Sequence, residues 1–141
     1  MDNLSPTDRR RAMRRVRGRD TTPELVVRRL LHAEGYRYRL HGRDLPGKPD
    51  IVFVARRRVI FVHGCFWHGH TCPRGSRRPG TRRDYWNAKL DRNAERDRSH
   101  ARRLRRMGWG VMIVWECQTA PRRRPALERR LRRFLGPTRV T

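Results

Sequence analysis

The sequence predicts one α/β domain built on a mixed sheet flanked by helices, and three observations carry that prediction. Two apolar runs of strand length, IVFV at 51–54 and VIFV at 59–62, follow one another across a basic turn, ARRR. A third run, WGVMIVWEC at 109–117, returns only after a long charged stretch with helical spacing. Helix-periodic segments stand before, between and after these runs, the alternation expected of an α/β layer architecture. No repeat and no linker divides the 141 residues, so 1–141 is read as a single domain. At that length folding buries roughly 70% of the surface of the unfolded chain, enough for one lean core.

Local signals justify each element in turn. Ser5 before Pro6 reads as an N-cap with proline at the first helical position, opening a basic helix that runs to about Arg17 before Gly18. Its large apolar residues are Met13 and Val16, three apart, a thin seam on a charged surface. Thr21, Thr22, Pro23 and Glu24 make a second helix start, and Leu25, Val27, Leu30, Leu31 and Glu34 keep helical spacing up to a stop at Gly35. From Tyr36 the pattern turns to strand-like alternation (YRYRL), and LPGKPD then turns the chain into the two runs at 51–62, a buried hairpin. HGCFWHGHTC at 63–72 leads into a loop rich in Pro, Gly and Arg, PRGSRRPGTRR. Tyr85 to Met107 reads as a long charged helix stopped by Gly108, and WGVMIVWEC as a buried strand ending at Cys117. Beyond a proline-broken basic loop, Leu127, Leu131 and Leu135 build a last amphipathic helix.

Composition narrows the function classes. Hydrophobic and charged residues each make up 35% of the chain, and the formal net charge is +24, a balance that favours a polyanionic partner. Charge this high borders the composition of disordered chains, and only the periodic ordering of the apolar residues places this one among folded domains. Of the 37 basic residues only Lys48 and Lys89 are lysine. Arginine suits bidentate contacts to phosphates and bases, although a GC-rich genome produces the same bias. No apolar run nears the roughly 18 residues of a membrane span, and no apolar stretch follows the basic N-terminus, so membrane and secretory classes are set aside. Cys65, Cys72 and Cys117 are odd in number and unevenly spaced, which fits reduced thiols or a metal site better than a disulfide framework.

Two constellations carry chemistry. Cys65, His70 and Cys72, with Cys117 far along the chain, supply three thiolates and one imidazole, a set that selects zinc over hard cations. Being closed, it leaves no position for a substrate, so zinc there would be structural and would tie the loop after the third strand to the fourth. The competing reading makes Cys117 a small buried hydrophobe of an apolar strand. The second constellation sets Pro49 and Asp50 where the chain enters one hairpin strand, with Phe61, Val62 and His63 leaving the other. That is the layout of the PD-(D/E)xK nucleases, in which two acids on neighbouring strands hold Mg²⁺ and a lysine assists the attacking water. Here Phe61 stands in the second acid's place and His63 in the lysine's.

Taken together, LPGKPD, VIFVHGCFWHGHTC, YWNAKLDRNAERDR and GWGVMIVWEC resemble the very short patch repair (Vsr) endonucleases, mismatch nickers related to the PD-(D/E)xK fold, over about Thr7 to Cys117. The resemblance implies a restriction-endonuclease-like fold with a structural zinc site. It also implies a strand-specific nick on the 5′ side of the thymine in a T·G mismatch, the lesion left when 5-methylcytosine deaminates. Asp50 is implied as the Mg²⁺ carboxylate, with the main-chain carbonyl of Val62 as the metal's other protein ligand. The family often has Thr at that position, so a hydroxyl contact is lost while the carbonyl is kept. His68 is implied as the residue that activates water, with His63 and Glu24 supporting it, and Met13, Phe66 and Trp67 as wedges inserted into DNA. A mispaired step is easier to unstack than a matched one, so wedges add a selectivity that phosphate contacts lack. Read from the residues alone, His68 could be another zinc ligand and Glu24 a carboxylate favoured by the helix dipole. Phe66 and Trp67 could cap the sheet as core residues, and Met13 could be its helix's docking contact.

On this reading residues 1–20 form a basic DNA-contacting helix, 21–117 a catalytic core, and 118–141 an Arg-rich loop and helix. The expected cofactors are structural Zn²⁺ and catalytic Mg²⁺. The expected partner is double-stranded DNA carrying a T·G mismatch, with a functional link to a cytosine-5 DNA methyltransferase, and the protein is expected to be a monomer in the bacterial cytoplasm, associated with the nucleoid. Two other classes remain in view. A nuclease of the same fold acting as a restriction-type or structure-specific nickase would share the site. A non-catalytic, zinc-stabilised nucleic-acid-binding module would share the size and charge but would leave Asp50, His63 and His68 without a task.

Overall fold

The first described helix, α1 (Thr22–Ala33), is capped by Thr21, whose side chain accepts from the Glu24 N–H, and it ends where Gly35 takes a φ of +87°. The computed structural model describes residues 21–76, 80 and 82–138. The helix expected at 5–17, with Met13 on it, lies outside these residues. After α1 come β1 (Arg39–Leu40), β2 (Ile51–Phe53), β3 (Arg58–His63) and a single helical turn, α2 (Pro73–Ser76). The long α3 (Arg83–Arg106) leads to β4 (Gly110–Trp115), two 3₁₀ turns (Glu116–Thr119 and Pro121–Arg123) and α4 (Arg124–Leu135). No helix among the described residues is long and apolar enough to cross a membrane.

The four strands make one mixed sheet in the order β1-β2-β3-β4. β1, β2 and β3 run as an antiparallel meander, with Ile51 opposite Ile60 and Phe53 opposite Arg58. β4 pairs parallel to β3 from Arg58 with Gly110 to His63 with Trp115. A parallel pair needs a crossover, and α3 lies within it. Alternation along the strands then fills two layers. Ile51, Phe53, Ile60, Met112 and Val114 meet Val27 and Leu31 of α1 and Leu127, Leu131 and Leu135 of α4 on one face. Val52, Val59 and Phe61 meet Leu104 of α3 on the other.

The structure differs from the sequence expectation at three places, each for a local reason. Only Arg39 and Leu40 of YRYRL pair in the sheet; the Tyr36 N–H still donates to the Leu31 carbonyl at the end of α1, and the Tyr36 and Tyr38 rings stand edge-on to Phe53. β4 ends at Trp115, two residues before Cys117: Gln118 Oε1 accepts from the Trp115 N–H at 2.9 Å and the chain tightens into a 3₁₀ turn. Cys117 is therefore half-buried on that turn and is not an apolar strand residue. Within the expected loop after Cys72, Pro73–Ser76 forms the turn α2.

Candidate active site

The antiparallel pairing of β2 and β3 brings the start of one strand to the end of the other, and the Val62 N–H donates to Asp50 Oδ2 at 2.7 Å. The loop before β2 closes on the same point, with the His41 N–H donating to the Asp50 carbonyl at 2.9 Å and the Gly42 N–H to the Pro49 carbonyl at 2.8 Å. Glu24 enters from the first turn of α1 with its side chain fully buried. Its Oε2 accepts from Arg28 Nη1 at 2.9 Å and lies 3.4 Å from His41 Nε2, while Oε1 is buried without a hydrogen-bond partner. Burial pushes the Asp50 carboxyl up to about 8; the Val62 N–H opposes this and the Glu24 carboxylate adds to it. Two carboxyl groups thus share a water-poor space in which one of them lacks a counter-charge. A hard divalent cation among oxygen donors is the group that such an arrangement fits.

His63 ends β3 and stacks on His68, with ring centroids 3.8 Å apart and planes within 5°. Burial, followed by the charge of His68, lowers the His63 imidazole to about 3, with Asp97 opposing, so His63 is neutral at physiological pH. His68 Nδ1 lies 2.6 Å from Asp97 Oδ2 on α3. Burial raises the Asp97 carboxyl, but the hydrogen bond to His68 and the charges of His68, His63 and Arg96 outweigh it, and the net shift is downward. A carboxylate on Nδ1 leaves Nε2 as the ring atom free to take a proton from water. These residues line a cleft of about 860 Å³ together with Asp50 and Val62, and Arg43, Lys48 and Arg96 add positive charge to its walls.

The four ligand atoms of Cys65, His70, Cys72 and Cys117 lie within 4.8 Å of one another, three of them drawn from the same loop as His68. Backbone donors already aim at the sulfurs: the Cys117 N–H reaches Cys65 Sγ at 3.4 Å, and the Gly75 N–H reaches Cys72 Sγ at 3.4 Å. Burial and the neighbouring thiols push Cys65 up to about 12, so without a cation this cluster holds a thiol where a metal would hold a thiolate. Gly75 lets α2 close over the cluster, since a Cβ there would stand 2.1 Å from the His70 carbonyl oxygen. These donors fit a tetrahedral metal of the N/S class. His68 belongs to the other cluster, which removes it as an alternative ligand here.

Phe66 and Trp67 lie in the chain between Cys65 of one cluster and His68 of the other, half-buried and outside both sheet cores. They make an aromatic group with Trp86 of α3, with Phe66–Trp67 centroids at 5.1 Å and Trp67–Trp86 at 6.0 Å, and Lys89 Nζ lies 5.8 Å from the Trp67 ring centroid. Sequence reasoning had not singled out Trp86, Lys89, Asp97 or His41 as site residues. Trp86 and Asp97 share a signal that the sequence does carry: Trp86, Leu90, Asn93, Asp97 and Leu104 recur at helical spacing and mark the face of α3 turned inward. Asn93 Nδ2 confirms that face by donating to the Trp67 carbonyl at 3.2 Å. His41 carries no such signal, because its place depends on a loop residue with a φ of +53°.

Comparison with known proteins points the same way. The family model described as DNA mismatch endonuclease Vsr matches residues 1–74. The chain is 52% identical over 137 residues to the type II nicking enzyme V.XorIIP of Xanthomonas oryzae pv. oryzae, covering 97% of this chain and 98% of that one. It is 45% identical over 109 residues to the DNA mismatch endonuclease Vsr of Escherichia coli, covering 77% and 69% respectively. The type II nicking enzyme V.NmeAIP of Neisseria meningitidis is 38% identical over 117 residues, 83% of each chain. The first of these matches extends into the segment after Cys117, where the sequence by itself carried no family signal.

Proposed function

The chain belongs to the Vsr family of DNA mismatch endonucleases and is a DNA endonuclease, and from that premise we propose that it nicks one strand on the 5′ side of the thymine in a T·G mismatch, using Mg²⁺. The observation that carries this reading is the single cleft in which the Asp50 carboxyl faces the His63–His68–Asp97 group. Asp50 and the Val62 carbonyl would hold Mg²⁺, which when bound supplies positive charge to the phosphate and to the attacking water. Asp97 keeps His68 in one tautomer and orientation, and His68 Nε2 takes the water proton as the oxygen bonds to phosphorus and the P–O bond to the departing nucleotide breaks. His63, neutral and stacked on His68, limits where that ring can go. Glu24 sets the charge beside Asp50. Arg43, Lys48 and Arg96 neutralise the DNA backbone as it enters.

In the same reading zinc in the Cys65, His70, Cys72 and Cys117 set is structural, and Phe66 and Trp67, with Met13 from the segment 1–20, unstack the mismatched step. Residues 21–117 form the catalytic core, in a restriction-endonuclease-like arrangement, and 118–141 an Arg-rich accessory segment. The protein acts as a monomer in the bacterial cytoplasm on lesions descending from the product of a cytosine-5 methyltransferase. Nicking of matched, T·G and branched duplexes, with and without added Mg²⁺, tests this directly. Cutting confined to the T·G duplex in the presence of Mg²⁺ is expected. Equal cutting of matched or branched DNA would replace the mismatch reading with that of a restriction-type or structure-specific nickase.

A further inference from the structure

The cleft joins two donor sets of different chemistry. Its Asp50 side offers carboxylate and main-chain oxygens, whereas across from it stand two imidazoles and a carboxylate. His63, His68 and Asp97 each bring one ligand atom within 4.8 Å of the others. His63 is only 6% exposed, and its Nδ1 is buried with no hydrogen-bond partner. An imidazole nitrogen held away from water, unpaired, beside a second imidazole and a carboxylate is the start of a coordination sphere. We propose that His63, His68 and Asp97 form a second metal site, separate from that at Asp50, which takes a borderline transition ion of the class of Zn²⁺, Co²⁺ or Ni²⁺ and thereby inhibits the enzyme.

Ligand chemistry sets the selectivity. Mg²⁺ prefers oxygen donors and gives up its water reluctantly, whereas an N₂O set suits the later first-row ions. His68 and Asp97 already share a proton at 2.6 Å, and the ion takes that proton's place while the proton leaves to solvent. The two rings now lie parallel with their centroids 3.8 Å apart, so binding tilts them apart. Room for that movement and for coordinated water exists on both sides, since the three residues form the wall between the cleft of about 860 Å³ and a second hollow of about 430 Å³. An ion there engages the ring assigned to activate water and detaches it from Asp97. Its binding stands on the donor geometry alone; the inhibition rests on the reading of His68 given above.

The test titrates the full-length, zinc-loaded protein with Co²⁺, following visible absorption that lacks a thiolate-to-cobalt charge-transfer band, with calorimetry alongside. One equivalent should bind with proton release. His63→Ala and the nearly isosteric Asp97→Asn should each weaken it by about tenfold or more, and Asp50→Asn should leave it in place. Excess Zn²⁺ should suppress nicking of a T·G duplex, and a large excess of Mg²⁺ should not restore it. The site is overturned if no thiolate-free cobalt binds, if neither His63→Ala nor Asp97→Asn weakens binding, or if Asp50→Asn abolishes it. Relief of zinc inhibition by Mg²⁺ would overturn the inhibitory role by moving the ion to Asp50. A protein that binds cobalt as described yet nicks no duplex would sink the nickase reading and leave the site standing; one that nicks but binds no cobalt would do the reverse.

Discussion

The ten residues from His63 to Cys72 serve two centres of opposite character. Cys65, His70 and Cys72 turn one way to meet Cys117, while His63 and His68 turn the other way to meet Asp97 and the cleft that Asp50 lines. The first set is closed, with three thiols and an imidazole gathered from both ends of the β3–β4 crossover. The second is open, with a carboxyl pushed up to about 8, an imidazole lowered to about 3 and buried atoms without partners. A closed set gains its stability by completing itself, and so fixes the loop. An open set holds unmet electrostatic demand until an ion or a phosphate arrives, and its members are placed by the β2–β3 pairing, by the end of β3 and by α3.

Removing Asp50 should give the largest effect and should fall on one centre alone. A metal-held carboxylate contributes several kcal/mol to charge stabilisation in the transition state, so Asp50→Ala should lower the nicking rate by about a thousandfold or more. Affinity for a matched duplex should be unchanged, because the positive walls of the cleft remain. The same variant should melt no lower than the parent in the absence of Mg²⁺, since it deletes a carboxyl that burial disfavours. A large drop in melting temperature would mean that the two centres are not separable.

The complementary change falls on the closed set. Cys117→Ser, or chelation of the metal, should cost several kcal/mol of stability, because metal binding to a structural site is folding free energy. Thermal melting with elemental analysis measures it, and full metal occupancy with an unchanged melting temperature would remove Cys117 as the fourth ligand. Gly75→Ala should act in the same direction without touching a ligand, since the added Cβ meets the His70 carbonyl oxygen at 2.1 Å and either α2 or the loop must move.

How much of this was legible beforehand follows from what each signal depends on. The two-layer core was readable because strand and helix periods place alternate residues on opposite faces, and Ile51, Ile60 and Val114 did go to one layer while Val59 and Phe61 went to the other. The thiol cluster was readable because a chain with only three cysteines leaves little choice of grouping. The end of β4 was misread at Cys117 because the Gln118 side chain, which intercepts the Trp115 N–H, has no pattern of its own. Asp97 went unnoticed for a different reason. On a helix crowded with Glu95, Arg96 and Arg98, one acid is distinguished only by which face turns inward, and the partner across that face comes from a loop 29 residues earlier.

Stability against pH separates two of the open centre's perturbed groups, Asp50 and His63. Asp50, raised from 3.8 to about 8, keeps a proton in the metal-free folded state that the unfolded chain has released, so stability falls as pH rises between those values. His63, lowered from 6.5 to about 3, lacks a proton that the unfolded chain binds, so stability falls as pH drops through that range. The two oppose one another below about 6.5, and from there to about 8 Asp50 acts without His63. Cys65, raised from 9.0 to about 12, comes into play only above that. The metal-free melting temperature should therefore decline from pH 6.5 to 8, and either Mg²⁺ or Asp50→Asn should flatten the decline. A slope that Asp50→Asn leaves intact would locate the perturbed proton elsewhere.

The smallest expected effect lies between the two centres, at Trp67. Its ring is half-buried against Phe66 and Trp86 with Lys89 alongside, and its carbonyl is held by Asn93, so its direction is fixed by α3 as well as by the loop. A side chain held that way, next in the chain to His68 of the cleft, can enter a base step without first being ordered, which keeps its entropic cost low. Unstacking costs a few kcal/mol and a mismatch lowers that cost, so the part of discrimination owed to one wedge is about 1–2 kcal/mol, or roughly tenfold in the ratio of T·G to T·A nicking. Trp67→Ala should narrow that ratio by about this amount. Affinity for matched duplex, and the slope of that affinity against salt, should barely change, because the Arg and Lys contacts to phosphate that set both are untouched. Discrimination and salt slope moving together would identify Trp67 as part of the general binding surface. A parental ratio in a folded, metal-loaded Trp67→Ala protein would leave the aromatic group as packing for α3 and assign the selectivity to residues outside it.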